Sequence, residues 1–409
     1  MQRFFCKNAP FCLTLPKITI NIMFDIIATT FFGLENVLAE ELKHIGGQNV
    51  KPITRAVILK GDNEVLYRAN LWCRTALKIL VPIQTFKAFN DKEFYEQARR
   101  IDWQRYMAVD DTFAIDCVAS GPIFTHSKYL ALKCKDAIAD YFRDKRGRRP
   151  NVDIEYPDLR VNVHAFNSEI TISLDSTGIP MSKRGYKVRQ VQAPLNEVMA
   201  AGILKLADWD CKTPLIDPMC GSATFATEAC MMAMDIAPGS YRNFAIEKWR
   251  DFDSKLWGNL RQEAKDRQLA KPTAEISAYD RDPMALDIAS QNIEKAGLAD
   301  FIDLDRRDFF KADDDAKISG KFLIMNPPYG ERLEDKDEMV DFYRQMGDTL
   351  KNRYTNSRAW ILSGNLDAIK RIGLHPSKKI KLFNGAIGCR LECFEMYDGS
   401  KKNKFQQTE

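Results

Sequence analysis

Leu215-Ile216-Asp217-Pro218-Met219-Cys220-Gly221-Ser222 reads as a short buried strand that ends in an acid and a glycine turn, just before a helix. Ligands of open α/β sheets sit at the carboxyl ends of strands, where glycine lets backbone approach them closely. Taken alone, such a turn fits a structural role as well as a binding one. Its surroundings form a pattern. Strands are expected at 214–216, 275–279, 302–304, 322–325 and 359–362, with helices at 222–235, 283–296 and 336–353. Alternation of strand and helix implies a parallel, doubly wound sheet. Two further runs, 379–383 and 390–397, have only a short connection and no helix between them, which predicts an antiparallel hairpin at the sheet edge.

The strand ends carry acids. The second strand closes on Asp280, placed where a carboxylate can take both hydroxyls of a ribose, and Asp282-Pro283 then caps the following helix, with Gly297 just past its end. Asp308 follows the third strand and can accept a hydrogen bond from an adenine amino group. An acid with a glycine turn, then an acid, then another acid points to a nucleoside cofactor without phosphates. A phosphate site is the poorer reading, because there is no Walker lysine and the first turn lacks G-x-G-x-x-G spacing.

The fourth strand runs straight into Asn326-Pro327-Pro328-Tyr329-Gly330. Two prolines remove backbone donors and force an extended chain. The Asn326 side-chain oxygen and the Pro327 carbonyl are then free to accept, and two acceptors suit an exocyclic NH₂ with two donors. Holding both hydrogens draws the nitrogen lone pair out of conjugation and aims it at a methyl sulfonium. Tyr329 offers an aromatic face for a base drawn out of its stack. Direct displacement leaves most of the work to alignment.

Before the alternating half come two small α+β units. The first has a helix at 34–45 stopped by Gly46-Gly47, strands at 56–59 and 77–83, and a helix at 64–74 between them. The second has helices near 92–100 and at 127–144, and strands at 113–118, 159–165 and 169–174. Arg143, Lys145, Arg146, Arg148 and Arg149 cluster after the long helix. Lys183, Arg184, Tyr186, Lys187 and Arg189 form a second basic run with an embedded tyrosine. Basic groups with an aromatic fit phosphate contact plus stacking, so both runs are candidate RNA contacts. The chain of 409 residues has a net charge of only +4, so any nucleic-acid footprint is local. Ten cysteines and four histidines show no zinc spacing, and the thiols read as buried and free in a reducing cytoplasm. No stretch reaches transmembrane length. The first 22 residues read as an extension, with Met23 as the expected natural start, and a Gln192-Ala193-Pro194 hinge joins the two halves.

On Ser127-Lys128-Tyr129, Lys183-Arg184-Gly185-Tyr186, Ala193-Pro194-Leu195-Asn196-Glu197, Asp217–Ser222 and Asn326–Gly330, the chain resembles THUMP-domain RNA guanine-N2 methyltransferases with a class I catalytic domain. The match runs from about Phe24 to Tyr397, over which the chain is similar to the amino-terminal methyltransferase half of a bacterial enzyme acting on 23S ribosomal RNA. The resemblance implies a ferredoxin-like segment at 23–90, a THUMP RNA-binding module at 91–186, and a seven-stranded Rossmann-like domain at 187–399, while the polar composition of 400–409 predicts a disordered tail. It implies S-adenosylmethionine as cofactor, bound by Asp217, Pro218, Gly221, Ser222, Asp280, Asp308 and Asn326, no metal, and Asn326, Pro327, Pro328 and Tyr329 as the catalytic strip. Two departures stand out. Ala223 replaces a frequent glycine, and there is no room for the second methyltransferase domain of the two-headed relative. Transfer RNA is the alternative substrate. Adenine-N6 methylation and a non-catalytic assembly role are the further alternatives.

Overall fold

The computed structural model describes residues 22–189, 195–311, 317–330 and 336–398. The proposed extension up to residue 21, the 192–194 hinge and the 400–409 tail lie outside them. The amino-terminal half contains β1 (Phe24–Thr29), α1 (Glu35–His44), β2 (Gln48–Ile53), β3 (Ala56–Gly61), α2 (Asn63–Trp72), β4 (Lys78–Lys87), α3 (Asp91–Arg100), β5 (Phe113–Ser120), α4 (Ser127–Arg146), β6 (Leu159–Phe166) and β7 (Glu169–Asp175). Its strands make a single seven-stranded sheet in the order β2-β3-β1-β4-β7-β6-β5. The two small units therefore share β4, whose residues Lys78, Ile79 and Leu80 pair with β1 and whose stretch from Leu80 to Lys87 pairs with β7. Asp62 and Asn90 cap α2 and α3 by accepting from Val65 and Glu93 N–H groups, which fixes where each helix begins.

The second half contains α5 (Glu197–Leu206), β8 (Leu215–Asp217), α6 (Thr224–Ala233), α7 (Ser254–Arg267), β9 (Ile276–Asp280), α8 (Pro283–Lys295), β10 (Asp303–Arg306), β11 (Ile318–Ser319), β12 (Phe322–Met325), α9 (Lys336–Arg353), β13 (Tyr354–Thr355), β14 (Arg358–Ser363), β15 (Lys378–Asn384) and β16 (Ile387–Glu395). The main sheet runs β10-β9-β8-β12-β14-β16-β15. Its first five strands are parallel, and β16 and β15 form the expected antiparallel edge hairpin. Strand order reverses between β8 and β12, so a crevice opens at their carboxyl ends, where such sheets bind ligands.

Two helices, α5 and α7, were not foreseen. Asn196 caps α5, whose residues from Glu197 to Leu204 are all buried. Helix α7 buries only Trp257, Leu260 and Ala264, and it packs them on the core of the amino-terminal sheet, with Ile26, Leu59 and Tyr67. The Phe31-Phe32-Gly33-Leu34 loop crosses the other way: Leu34 is fully buried in the core of the second sheet. The halves are thus interlocked by apolar packing in both directions.

Candidate active site

The crevice holds a cavity of about 750 Å3 lined by Asp217, Pro218, Gly221, Ser222, Asp280, Asp308 and the whole Asn326–Gly330 strip, together with Met219, Phe309 and Phe310. Asp217 ends β8 almost fully buried, and its Oδ1 has no hydrogen-bond partner. Burial, and then the nearby Asp280 carboxylate, push its carboxyl well above the usual carboxylate range. An orphaned buried acceptor of this kind is costly unless a donor reaches it. At the end of β9, Asp280 accepts the Gly221 N–H at 3.0 Å and the Asp282 N–H at 3.0 Å, which ties the glycine turn to the second strand end. Asp282 instead accepts from Met284 N–H at 2.9 Å and caps α8, with Pro283 in its first turn. That separates the two acids into cavity wall and helix cap. Asp308 is half-buried and accepts the Phe310 N–H at 3.1 Å.

Ala223 sits at the N-cap of α6 with φ +58°, in the left-handed region that disfavours a Cβ. The frequent glycine at this position thereby has a backbone reason. Asn292, fully buried on α8, donates to the Ser222 carbonyl at 3.3 Å and accepts the Val188 N–H at 2.8 Å, so the glycine turn is pinned from behind.

The strip differs from expectation in one respect. The Tyr329 hydroxyl donates to Asn326 Oδ1 at 2.6 Å, and the Tyr329 carbonyl accepts from Asn365 Nδ2 at 2.9 Å. A Cβ on Gly364 would lie 2.6 Å from the Tyr329 ring, so glycine is required where the ring packs on β14's end. Tyr329 is half-buried and braces Asn326, rather than projecting freely. Asn326 Oδ1 keeps its second lone pair.

A family model described as RMKL-like, methyltransferase domain, matches residues 184–392. The chain belongs to the RMKL-like methyltransferase family. A THUMP domain matches 88–175 and an RlmL ferredoxin-like domain 25–80, so it is a THUMP-bearing class I RNA methyltransferase. A Synechocystis protein provisionally named as an RNA methyltransferase is 38% identical over 371 residues, 90% of this chain and 96% of that one. The ribosomal RNA large subunit methyltransferase K/L of Methylococcus capsulatus is 38% identical over 379 residues, 91% of this chain and 51% of that one. The chain thus spans about half the length of the K/L relatives it matches. Among solved structures, SMU.472, provisionally a methyltransferase and complexed with SAH, is 30% identical with a TM-score of 0.81, covering 92% of this chain and 99% of that one. A Clostridium difficile 630 protein, provisionally a methylase, is 31% identical with a TM-score of 0.83, covering 93% of this chain and 100% of that one.

Three expected RNA contacts of this RMKL-like chain, Arg184, Tyr186 and Lys187, are overturned. Arg184 and Tyr186 are each 1% exposed, and the Lys187 side chain is nearly as buried. Arg184 Nε lies 3.2 Å from Glu228 Oε1 on α6, and Tyr186 donates to the same oxygen at 3.0 Å. Lys187 donates to the Leu195 carbonyl at 2.6 Å and faces Glu197 at 3.6 Å. The run is an internal bolt, because the carboxylates buried on α6 and α5 require cationic partners. Only Lys183 and Arg189 remain exposed, and Arg189 pairs with Asp287 at 3.1 Å. The other cluster stands differently: Arg143, Lys145, Arg146, Arg148 and Arg149 are all exposed at the carboxyl end of α4. Arg143 and Arg149 share Asp140, Arg148 meets Asp110, and Arg146 donates to Gln104.

Among the described residues, no group of three or more His, Cys, Asp or Glu could hold a metal ion, and no helix is long and apolar enough to cross a membrane. The eight described cysteines are free, and burial raises their thiols where a shift is seen, Cys117 to about 12. Sequence reasoning missed Asn292 and Asn365, whose signal was only a polar residue in an apolar helix face and a loop asparagine.

Proposed function

We propose that this chain transfers the methyl group of S-adenosylmethionine to the exocyclic N2 of a guanine in RNA, with large-subunit ribosomal RNA as substrate and the cytoplasm as its place of work. The observation that carries the reading is the Asn326–Tyr329 strip facing, across one cavity, the acids Asp217, Asp280 and Asp308. The residues fit the cofactor. The orphaned Asp217 Oδ1 suits an ammonium donor, Asp280 suits vicinal hydroxyls, and Asp308 with Phe309 and Phe310 suits an adenine. When bound, the cofactor supplies an electrophilic methyl on a sulfonium.

The protein's own part is alignment. Asn326 Oδ1 and the Pro327 carbonyl accept the two N–H groups of the amine, which localises the nitrogen lone pair. With the methyl group supplied by bound S-adenosylmethionine, the amine proton would leave to solvent. Tyr329 holds Asn326 in place through its hydroxyl and offers its remaining exposed ring to the base. No strong base is needed, since proximity and orientation carry most of the barrier reduction. The exposed Arg143–Arg149 cluster supplies phosphate contacts. Selection of guanine, and of ribosomal over transfer RNA, is supported by the family and not by the strip. Labelled methyl transfer to deproteinised rRNA and tRNA, and its loss in a folded Asn326→Ala variant, tests the assignment.

A further inference from the structure

The β15–β16 hairpin belongs to the substrate side of the site. Strand β15 runs antiparallel to β16, which runs antiparallel to β14, which is parallel to β12. The carboxyl end of β15 at Asn384 therefore lies on the same sheet edge as Asn326. The side chains agree: Cys389 Sγ lies 3.7 Å from Tyr329 Oη, and Ile387 closes on Gly364 beside the Tyr329 ring.

On this hairpin, Phe383 meets Phe32 of the amino-terminal half edge-to-face, with ring centroids 5.5 Å apart and planes at 81°. Phe32 is 38% exposed and Ile387 39% exposed. The Lys381 ammonium sits 5.5 Å from the Phe383 centroid. The loop presenting Phe32 is held rather than loose. Glu35 accepts the Gly33 N–H at 2.7 Å and the Arg55 N–H at 2.9 Å, and Leu34 is sunk in the catalytic core. Gly33 has φ +89°, and a Cβ there would lie 2.8 Å from Leu382 and 3.2 Å from the Lys381 carbonyl. These contacts hold the partly exposed Phe32 ring in place against Phe383. An exposed Phe32 held against a half-buried Phe383, beside a cation, offers the kind of aromatic face that sequence-tolerant binding of unpaired nucleotides uses.

We propose that Phe32 and Phe383 form a stacking wall, contributed by both halves of the chain, for an unpaired RNA base flanking the one that reacts at Asn326. This rests on the RNA-methylation reading above. Lys381 serves the adjoining phosphate, and the interlocked Phe32 loop makes the wall's distance to the catalytic strip fixed. The amino-terminal half thus takes part in the site's inner recognition, in addition to gripping RNA at α4.

The test uses the full chain with bulk deproteinised rRNA and labelled S-adenosylmethionine. Phe32→Ala and Phe383→Ala are expected to raise the KM for RNA roughly 5- to 150-fold, the range expected when one base stack is removed. S-adenosylhomocysteine affinity by calorimetry and the melting temperature stay near wild type. Phe32→Tyr retains the wild-type KM, and Phe32→Leu fails as the alanine variant does. A leucine variant that matches wild type, or an S-adenosylhomocysteine affinity that falls in step with RNA, overturns the wall. If the wild type labels no RNA at all, the methylation reading fails separately. The wall is then judged by fluorescence of a single-stranded RNA oligomer carrying 2-aminopurine. Quenching by wild type and its absence in Phe32→Ala support the wall; equal quenching by both refutes it.

Discussion

Arg184 and Glu228 form an ion pair 3.2 Å apart inside the joint between the two sheets, with neither side chain more than 1% exposed. Burial works against the Arg184 charge, and Glu228, with Tyr186 and Glu197 beside it, more than restores it. The same guanidinium donates to the Arg74 carbonyl at 2.6 Å, and Arg74 in turn donates to the Ile236 carbonyl at 2.6 Å. Removing one member leaves a charge stranded. Glu228→Ala should therefore cost about 3–5 kcal/mol by denaturant unfolding, typical of breaking a buried pair. A loss below ~1 kcal/mol would mean that the pair is solvated.

Asp217 carries the opposite arrangement, a buried carboxylate with an unpartnered oxygen. Its proton affinity is raised in the fold, so between the unfolded carboxylate value near ~4 and the higher folded value the native state holds more protons than the unfolded one. That part of the stability is therefore present at low pH and lost as pH rises through the folded value. Asp217→Asn should flatten this slope and raise the stability of the ligand-free protein at neutral pH by about 1–3 kcal/mol. The same change should weaken S-adenosylmethionine binding at least tenfold. Melting curves across pH, with calorimetry for the cofactor, read both effects.

Tyr329→Phe removes the hydroxyl that braces Asn326 and keeps the ring. A neutral hydrogen bond of this sort contributes about 0.5–1.5 kcal/mol, so kcat should fall roughly two- to tenfold with little change in cofactor KM. Steady-state kinetics with saturating RNA decide it, and an unchanged kcat would remove Tyr329 from the alignment role.

Lys145→Ala with Arg148→Ala tests the exposed cluster at the end of α4. RNA affinity should drop, and the slope of log affinity against log salt should shrink by about 0.7–0.9 for each phosphate that is no longer neutralised. Filter binding at several salt concentrations measures this. An unaltered slope would place the phosphate-binding groups elsewhere.

Ala223 occupies the left-handed region at the entry to α6. Ala223→Gly relieves an unfavourable conformation, and the greater freedom of glycine in the unfolded chain offsets part of it. A net gain of up to about 1 kcal/mol in the cofactor-free protein is expected by thermal unfolding.

What could be read from the sequence was local. The Asn326–Tyr329 strip, the acids at strand ends and the Asp282 cap each depend on residues within a few positions of one another, and each stands at its expected strand end or helix start. What could not be read depended on distant partners. The basic run around Arg184 looks like an RNA patch until Glu228, which is buried in α6 44 residues away, is seen to neutralise it. Helix α7 has a thin apolar face because that face fits a core built from residues such as Ile26 and Tyr67. Likewise β4 reads as one strand of a small unit, although its second half completes the pairing with β7.

The most direct test of the central claim is the identity of the methylated nucleoside. Deproteinised large-subunit rRNA incubated with the protein and labelled S-adenosylmethionine should yield N2-methylguanosine on digestion and mass spectrometry, and none with Asn326→Ala. Label recovered as N6-methyladenosine, or undiminished label with the Asn326→Ala variant, would contradict it.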